Sequence, residues 1–315
     1  MPRLSLSFLL LISCQMSKYT SIPLDLVLPA WYELEASSPL IECGLFTKSF
    51  PDEEVQDFLQ RSKDIAGSCA HQTFRNFLSA VLSTFLSKTS INGLTGYGGM
   101  FLFSETQMRR FLNLSDEHSR LRKNALDLGA GNGDVTLKLG GLFENLYATE
   151  MSTVMQWRLR QKGITLVDAL NWSQTPIKFD IITAFNLIDR HFNPSILLAQ
   201  LRALALKSQC LVVISLVLPA SQYVEFNPVQ RSHRPSYWLK ITGRTFEEQA
   251  HSFMVHELLP AGFKIVRFTK LPYLCEGDMG EPYYHLHDAV FLLEPQEGDF
   301  PLANASYPVV DRKEL

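Results

Sequence analysis

An apolar strand runs into three glycines at alternate positions, Gly129, Gly131 and Gly133, in the stretch Leu126 to Asp134 (LDLGAGNGD). Such glycines let a backbone turn tightly beneath a ligand, because no Cβ blocks the approach and positive φ costs little. A bare strand-to-helix turn uses the same residues, so the loop alone is ambiguous. Asp127 lies at the end of the strand. A dinucleotide site would want Gly or Ala at position 134, where a small residue lets helix and strand close around a pyrophosphate. Aspartate stands there instead, and the loop reads as a cradle for a nucleotide-type cofactor other than a dinucleotide.

Two further constellations lie downstream. A second apolar strand, Leu146 to Thr149, ends in Glu150, and a carboxylate at that place holds ribose hydroxyls in open α/β sheets; a solvated strand end is the plainer alternative. A later strand carries Asp180-Ile-Ile-Thr-Ala-Phe-Asn186-Leu-Ile-Asp189. Ligands sit outside the carboxyl ends of such strands, so Asn186 and Asp189 should face the reacting group, unless Asn186 is only a cap. The stretch Leu271 to Phe291 (LPYLCEGDMGEPYYHLHDAVF) is rich in Tyr, Glu, Asp and His between two core strands. A loop that polar is expected to wall the site or to be a solvated hairpin tip. Its His285-Leu-His287 has a spacing that suits zinc on a strand, yet no third or fourth ligand stands at standard spacing, so no metal is expected.

The elements that must position these residues follow from periodicity. From Asn124 onward strands alternate with helices, which predicts a parallel sheet covered on both faces. Strands are expected over 124 to 128, 145 to 149, 164 to 168, 179 to 185 and 209 to 218, then 263 to 270 and 288 to 294. Helices are expected after Asp134, after Ser152, over 194 to 206 and over 246 to 259, with an irregular aromatic insertion from 219 to 245. Upstream, four prolines between 23 and 51 predict loop with short turns. Two helices follow. The second carries Phe74, Phe77, Leu78, Val81, Leu82, Phe85 and Leu86 as one wide apolar stripe, which packs on the core rather than on a membrane. Thr89 to Ser104 is glycine-rich and reads either as turns or as a lid.

Composition sets the outer limits. The chain has 315 residues, 46% of them hydrophobic, enough for a principal domain plus extra elements. With 29 basic against 32 acidic residues and no basic run, a nucleic-acid partner is not expected. Five scattered cysteines without a C-x-x-C pair indicate neither a zinc site nor a disulfide framework. Leu4 to Cys14 is an apolar run behind Arg3, too short to span a bilayer but suited to a signal-peptide core. The chain ends in RKEL, a distant relative of a retrieval signal. An endoplasmic reticulum or secretory location is therefore expected, with mitochondrion or cytoplasm as alternatives. Sequons stand at Asn113, Asn171 and Asn304, the second inside the expected catalytic fold.

The D-x-G-x-G-x-G arrangement resembles the first motif of class I S-adenosyl-L-methionine (SAM) methyltransferases, and five parallel strands followed by a late pair resemble their seven-stranded, Rossmann-like sheet. A closer resemblance rests on TSINGL, MF-F-S, LDLGAG-G-VT, YATE-S--M, NL-DR, LVLP, EEQ, AGF, F---LPYLCEGDM, YY and DAVF in this order. Over about Thr73 to Leu293 the chain is similar to the protein-histidine N-pros-methyltransferases of the DREV type. The Asp180 to Asp189 segment departs from the Asn/Asp-Pro-Pro-Tyr type associated with methylation of nucleobase amines.

That resemblance implies an α/β class I fold with the catalytic domain over 121–296. The N-terminal 70 residues and the tail after Glu294 do not share it. The chain's own pattern there gives a leader over 1–20, an N-terminal helical extension with its glycine-rich loop over 21–120 and a tail over 297–315. The resemblance implies SAM as cofactor, bound around Asp127, Gly129, Gly131, Gly133, Glu150, Asn186 and Tyr273. It also implies transfer to the pros nitrogen of histidine in His-x-His sequences of partner proteins where x is small. Asp189, Asn186 and Tyr284 are the expected catalytic residues, Asp189 as acceptor of the other ring N–H and Tyr284 as a group orienting the ring. Glu276, Asp278, Asp288 and Asp189 give that face an acidic bias. A small-molecule SAM enzyme and a SAM-binding interaction protein without activity are the alternatives, and self-methylation at His285 or His287 is not expected. The oligomeric state is not legible.

Overall fold

A computed structural model describes residues 28–36, 38–67, 98–114, 123–224, 227, 232–278 and 280–302. The apolar run at 4 to 14, the Phe74 to Leu86 stripe, most of the glycine-rich Thr89 to Ser104 stretch, the sequon at Asn304 and the RKEL end lie outside those residues. The strands are β1 (Met100–Phe101), β2 (Asn124–Leu128), β3 (Asn145–Thr149), β4 (Thr165–Leu166), β5 (Ile181–Phe185), β6 (Leu211–Leu218), β7 (Phe263–Glu276) and β8 (Tyr283–Pro295). They form one sheet in the order β1-β7-β8-β6-β5-β2-β3-β4. The four pairings among the five central strands β2 to β6 are parallel and β8 runs against β6. The strand order reverses between β2 and β5, which opens a crevice at their carboxyl ends.

The expected α/β sheet is present, with an eighth strand added at its edge. Met100 and Phe101 pair with Cys275 and Leu274 of β7, so the downstream end of the glycine-rich stretch is fastened to the sheet. The backbone N–H of Gly99 donates to Glu276 Oε2 (2.9 Å) and that of Glu276 to the Gly99 carbonyl (3.0 Å).

Alternation along the strands assigns each face. Leu126, Leu128, Ile182, Ala184, Val212 and Ile214 point into one core, covered by α6 (Pro194–Ser208) and α7 (Phe246–Phe253). Ala125, Ile181, Val213, Leu271, Val290 and Leu292 point into the other. The N-terminal extension covers much of that second face and also reaches the first, where Leu34 and Leu40 are buried. Trp31, Tyr32 and the Val55, Phe58 and Leu59 stripe of α2 (Glu53–Gly67) pack on the second face with Phe103 and Met108, a short turn α1 (Pro39–Glu42) lying between. Helix α3 (Glu105–Phe111) starts at Ser104, whose hydroxyl and Gln107 form a reciprocal cap.

The remaining helices flank the cofactor side: α4 (Asp134–Leu137), cut short before Gly140 and Gly141, and α5 (Thr153–Gln161). Helix α7 is shorter than its apolar pattern predicts, because the chain continues through a π-helical turn over Met254–Leu258. That turn buries Glu257, which accepts hydrogen bonds from Tyr237 Oη (3.1 Å) and the Lys240 N–H (2.6 Å) and so ties the 219 to 245 insertion to the helix. Among the described residues no helix is long and apolar enough to cross a membrane.

The largest departure from expectation is the hairpin. Most of the polar Leu271 to Phe291 stretch is paired strand, with Leu271↔Asp288, Tyr273↔Leu286 and Cys275↔Tyr284 in register. Among the described residues only 277–278 and 280–282 lie outside the two strands there. Pro272 suggests a break, but β1 pairs only with Leu274 and Cys275, so the missing N–H of Pro272 falls on an open edge.

Candidate active site

The glycine loop is built at the carboxyl end of β2. Asp127 lies between Leu126 and Leu128, on the opposite face of the strand, and is 2% exposed. Thr136 Oγ1 (2.5 Å) and Thr183 Oγ1 (2.7 Å) donate to its two oxygens, so the carboxyl clamps β2, β5 and α4 beneath the loop. Burial pushes its pKa up to about 6 against the pull of those hydroxyls. Replacing Thr183 by Val keeps the shape but strips one oxygen of its partner. Thr183→Val is expected to lower stability by about 1–3 kcal/mol, read as a shift of the urea midpoint at unchanged slope.

Gly129, Gly131 and Gly133 all take positive φ, +68°, +56° and +82°, a region L side chains rarely adopt. The Gly129 and Ala130 N–H groups donate to the Thr149 carbonyl (3.0 and 3.1 Å), and the Gly131 N–H donates to Glu150 Oε2 (2.9 Å). Glu150 is thus drawn over the loop from the tip of β3, its other oxygen accepting from the Ser152 N–H (2.8 Å). A Cβ at Gly131 would meet nothing within 4 Å, whereas one at Gly129 would lie 2.8 Å from Leu187 Cδ1. The open side of the loop is therefore above Gly131. Next to it a cleft of about 390 Å³ is lined by Glu150, Met151, Gln156, Val167, Asp168 and Leu170, among others. The residues after β4 were missed in the sequence, although Asp168 at that strand's end offers the same signal as Glu150.

Across the crevice lies a second group. Asn186 follows β5 with φ +51°; its N–H donates to Ser215 Oγ (3.1 Å) and its side-chain Nδ2 to Asp288 Oδ2 (2.8 Å). Asp189 is 3% exposed and Asp288 is 0% exposed. Arg190 Nε lies 3.4 Å from Asp189 Oδ2. Burial raises Asp189 to about 6, opposed by Arg190, and raises Asp288 to about 8, opposed by the donors Asn186 and Ser215. Asn186 Oδ1, Asp189 Oδ1 and Asp288 Oδ1 are buried without a hydrogen-bond partner. Three unpartnered polar oxygens in one place call for a partner from outside the chain. Asp288 had been read only as part of an acidic bias; its place in the apolar run DAVFLL was the available signal, since a lone carboxylate there must be buried.

Tyr273 stands on β7 beside this group. Its phenol is raised above the usual range by burial and by nearby Cys275, Asp288 and Asp189, and its hydroxyl donates to Met100 Sδ (2.6 Å). Tyr284 is farther out along β8, 44% exposed, donating to Asp278 Oδ2 (3.1 Å) at the hairpin tip. Four residues separate it from Asp288, about 13 Å along a strand. His285 and His287 alternate with Asp288 along the strand, and Trp31 stacks on His285 with ring centroids 4.8 Å apart. Burial and Lys270 lower His287 to about 4. Among the described residues no three His, Cys, Asp or Glu side chains are grouped to hold a metal ion.

A family model described as DREV methyltransferase matches residues 31–295, beginning well before Thr73 and taking in most of the N-terminal extension. Solved structures with similar backbones include the magnesium protoporphyrin IX methyltransferase of Synechocystis PCC 6803 (13% identity, 76% of this chain and 99% of that chain, TM-score 0.38). Another is the precorrin-6y C5,15-methyltransferase of Geobacter metallireducens GS-15 (15% identity, 61% and 89%, TM-score 0.33). A third is the ribosomal protein L11 methylase of Lactobacillus delbrueckii subsp. bulgaricus (14% identity, 62% and 82%, TM-score 0.32). Overlaps this loose say nothing of substrate.

Proposed function

The chain belongs to the DREV methyltransferase family, and from that premise we propose that it methylates the pros nitrogen of histidine within His-x-His sequences of other proteins. The observation that carries this reading is Asp189, a buried carboxyl with one oxygen unpartnered beside the unpartnered oxygen of Asn186. SAM is the cofactor, and when bound it supplies an electrophilic methyl group on a sulfonium centre. The residues present fit it: the loop over Gly131 is open, Glu150 borders the adjoining cleft, and Asn186 and Tyr273 lie across the crevice.

A neutral imidazole is already nucleophilic, so the chain has mainly to hold it in line. Attack by the pros nitrogen requires the hydrogen on the other ring nitrogen. Asp189 Oδ1 would accept a hydrogen bond from that N–H, select the tautomer and stabilise the positive charge the ring takes up with the methyl group, the extra proton leaving to solvent as the product departs. Glu276 and Asp278 at the hairpin tip extend the acidic face toward histidine-rich chains. Tyr284 is assigned to the incoming peptide near that tip rather than to the reacting ring.

The rate on a His-x-His peptide is expected to fall toward acid for two reasons of the same sign. The substrate imidazole protonates near its ordinary value of about 6.5, and Asp189, raised to about 6, loses the charge that accepts the ring hydrogen as pH drops through that value. A rate profile measured from pH 5 to 8 checks this, and a flat acid limb contradicts it. The substrate assignment itself is tested with peptide arrays carrying His-x-His and scrambled sequences. Equal labelling of both, or labelling of neither together with turnover of small imidazoles, defeats it.

A further inference from the structure

We infer that Asp288 is a positioning residue for this reaction, holding the Asn186 amide so that Asn186 Oδ1 faces the reacting group. The inference rests on the reading of Asn186 and Asp189 as the face that receives the imidazole. An asparagine amide can turn either end toward a neighbour. Here every hydrogen-bonding neighbour of Asp288 approaches it as a donor: Asn186 Nδ2, the Ser215 hydroxyl and the Leu216 N–H. Oδ2 of the carboxyl is thereby fixed as an acceptor, takes the NH₂ end of Asn186, and leaves the amide's carbonyl end pointing away from itself, where it has no partner. The backbone joins in the same arrangement. Asn186 sits in the left-handed region at φ +51°, and its N–H is held by Ser215 on β6, the strand that pairs with β8. Asp288, Ser215 and Asn186 form one clamp across three strands.

The charge balance around Asp288 decides which form does this. Asp189 is the carboxyl beside it, and Arg190, whose guanidinium pairs with Asp189, is the cation on that side. Tyr273 faces it from β7, while His287, Lys270 and Glu247 lie across the pleat; β6 contributes Ser215 and no titratable side chain. One guanidinium does not support two buried carboxylates, so one keeps its proton. Fully buried and unpaired, Asp288 is that one, rising to about 8 while Asp189 rises to about 6. With donors already around Oδ2, the proton belongs on the unpartnered Oδ1. Near neutral pH the site therefore holds a single negative charge, on Asp189.

The test uses the full chain labelled with ¹⁵N, with the Asn186 side-chain amide assigned by its loss in Asn186→Gln. Between pH 6 and 9 that resonance is expected to titrate with a midpoint near 8, and the titration is expected to vanish in Asp288→Asn. On a His-x-His peptide, Asp288→Leu is expected to lower kcat by about 10²-fold at little-changed affinity for S-adenosylhomocysteine. Asp288→Asn, which keeps an acceptor oxygen, should restore most of that loss at pH 7. An amide resonance flat across pH 8 overturns the inference, as does full turnover in Asp288→Leu or equal loss in both variants. If the wild-type chain methylates no peptide, the histidine reading fails while the resonance still decides the role of Asp288. If Asp288→Leu does not fold, the wild-type and Asp288→Asn titrations decide it alone.

Discussion

Gly129→Arg is expected to remove measurable binding of SAM and of S-adenosylhomocysteine, with a loss of affinity of about 10²-fold or more. Two costs combine. The position requires φ +68°, which costs an L residue about 1–2 kcal/mol, and the new Cβ lies 2.8 Å from Leu187 Cδ1, an overpacking cost of about 1–3 kcal/mol. At about 1.4 kcal/mol per factor of ten, relief of that strain by moving the loop is enough to abolish binding. The loop cannot move and keep its function, since Gly129, Ala130 and Gly131 are held by Thr149 and Glu150. Gly131→Ala makes a useful contrast. It carries the backbone strain at φ +56° without the collision, so its loss should be smaller. Calorimetry on both variants, with circular dichroism to show that they are folded, checks the ordering. Unchanged affinity in Gly129→Arg would remove the loop from the cofactor site.

Asp189→Asn keeps size and hydrogen bonding but removes the charge that, on the proposed reading, stabilises an imidazolium. Turnover is expected to fall by about 10²- to 10⁴-fold while cofactor affinity survives, because Asp189 lies across the crevice from the glycine loop. An asparagine presents either an oxygen or NH₂ hydrogens to the ring. The imidazole can then be held the other way, and product methylated on the tele nitrogen should appear. Single-turnover rates together with mass spectrometry against standards of both isomers resolve the two effects. Turnover near that of wild type would make Asp189 a structural residue and shift the acceptor role to Asn186.

What the sequence displayed well was whatever obeys a local period. The strands around Asp127, Glu150 and Asn186 were legible because short apolar runs ended in polar residues or glycine, and the helix at Pro194 because Asn193 and proline mark its start. The hairpin was misread where a local signal opposed a distant one. The crowd of polar residues reads as loop, yet the stretch is held in β7 and β8 by pairing between residues far apart in the chain. The Asn186–Asp288 contact escaped for the same reason. Its partners stand 102 positions apart, and no spacing rule reaches that far. Thr136 and Thr183 could not be named as partners of Asp127 until β5 was known to lie beside β2.

The pleat of β8 also acts as an insulator. The chain carries a His-x-His of its own, His285-Leu-His287, only one residue from Asp288. Because neighbours on a strand face opposite ways, both imidazoles are turned toward Trp31 and Lys270 while the carboxyl is turned toward Asn186. A one-residue slip of β8 against β6 would exchange the two sets, bringing the chain's own His-x-His into the place of the clamp. The long antiparallel register, from Val212↔Leu293 to Leu218↔His287, therefore does more than close the sheet: on the proposed histidine reading, it holds the chain's own His-x-His away from the reacting groups.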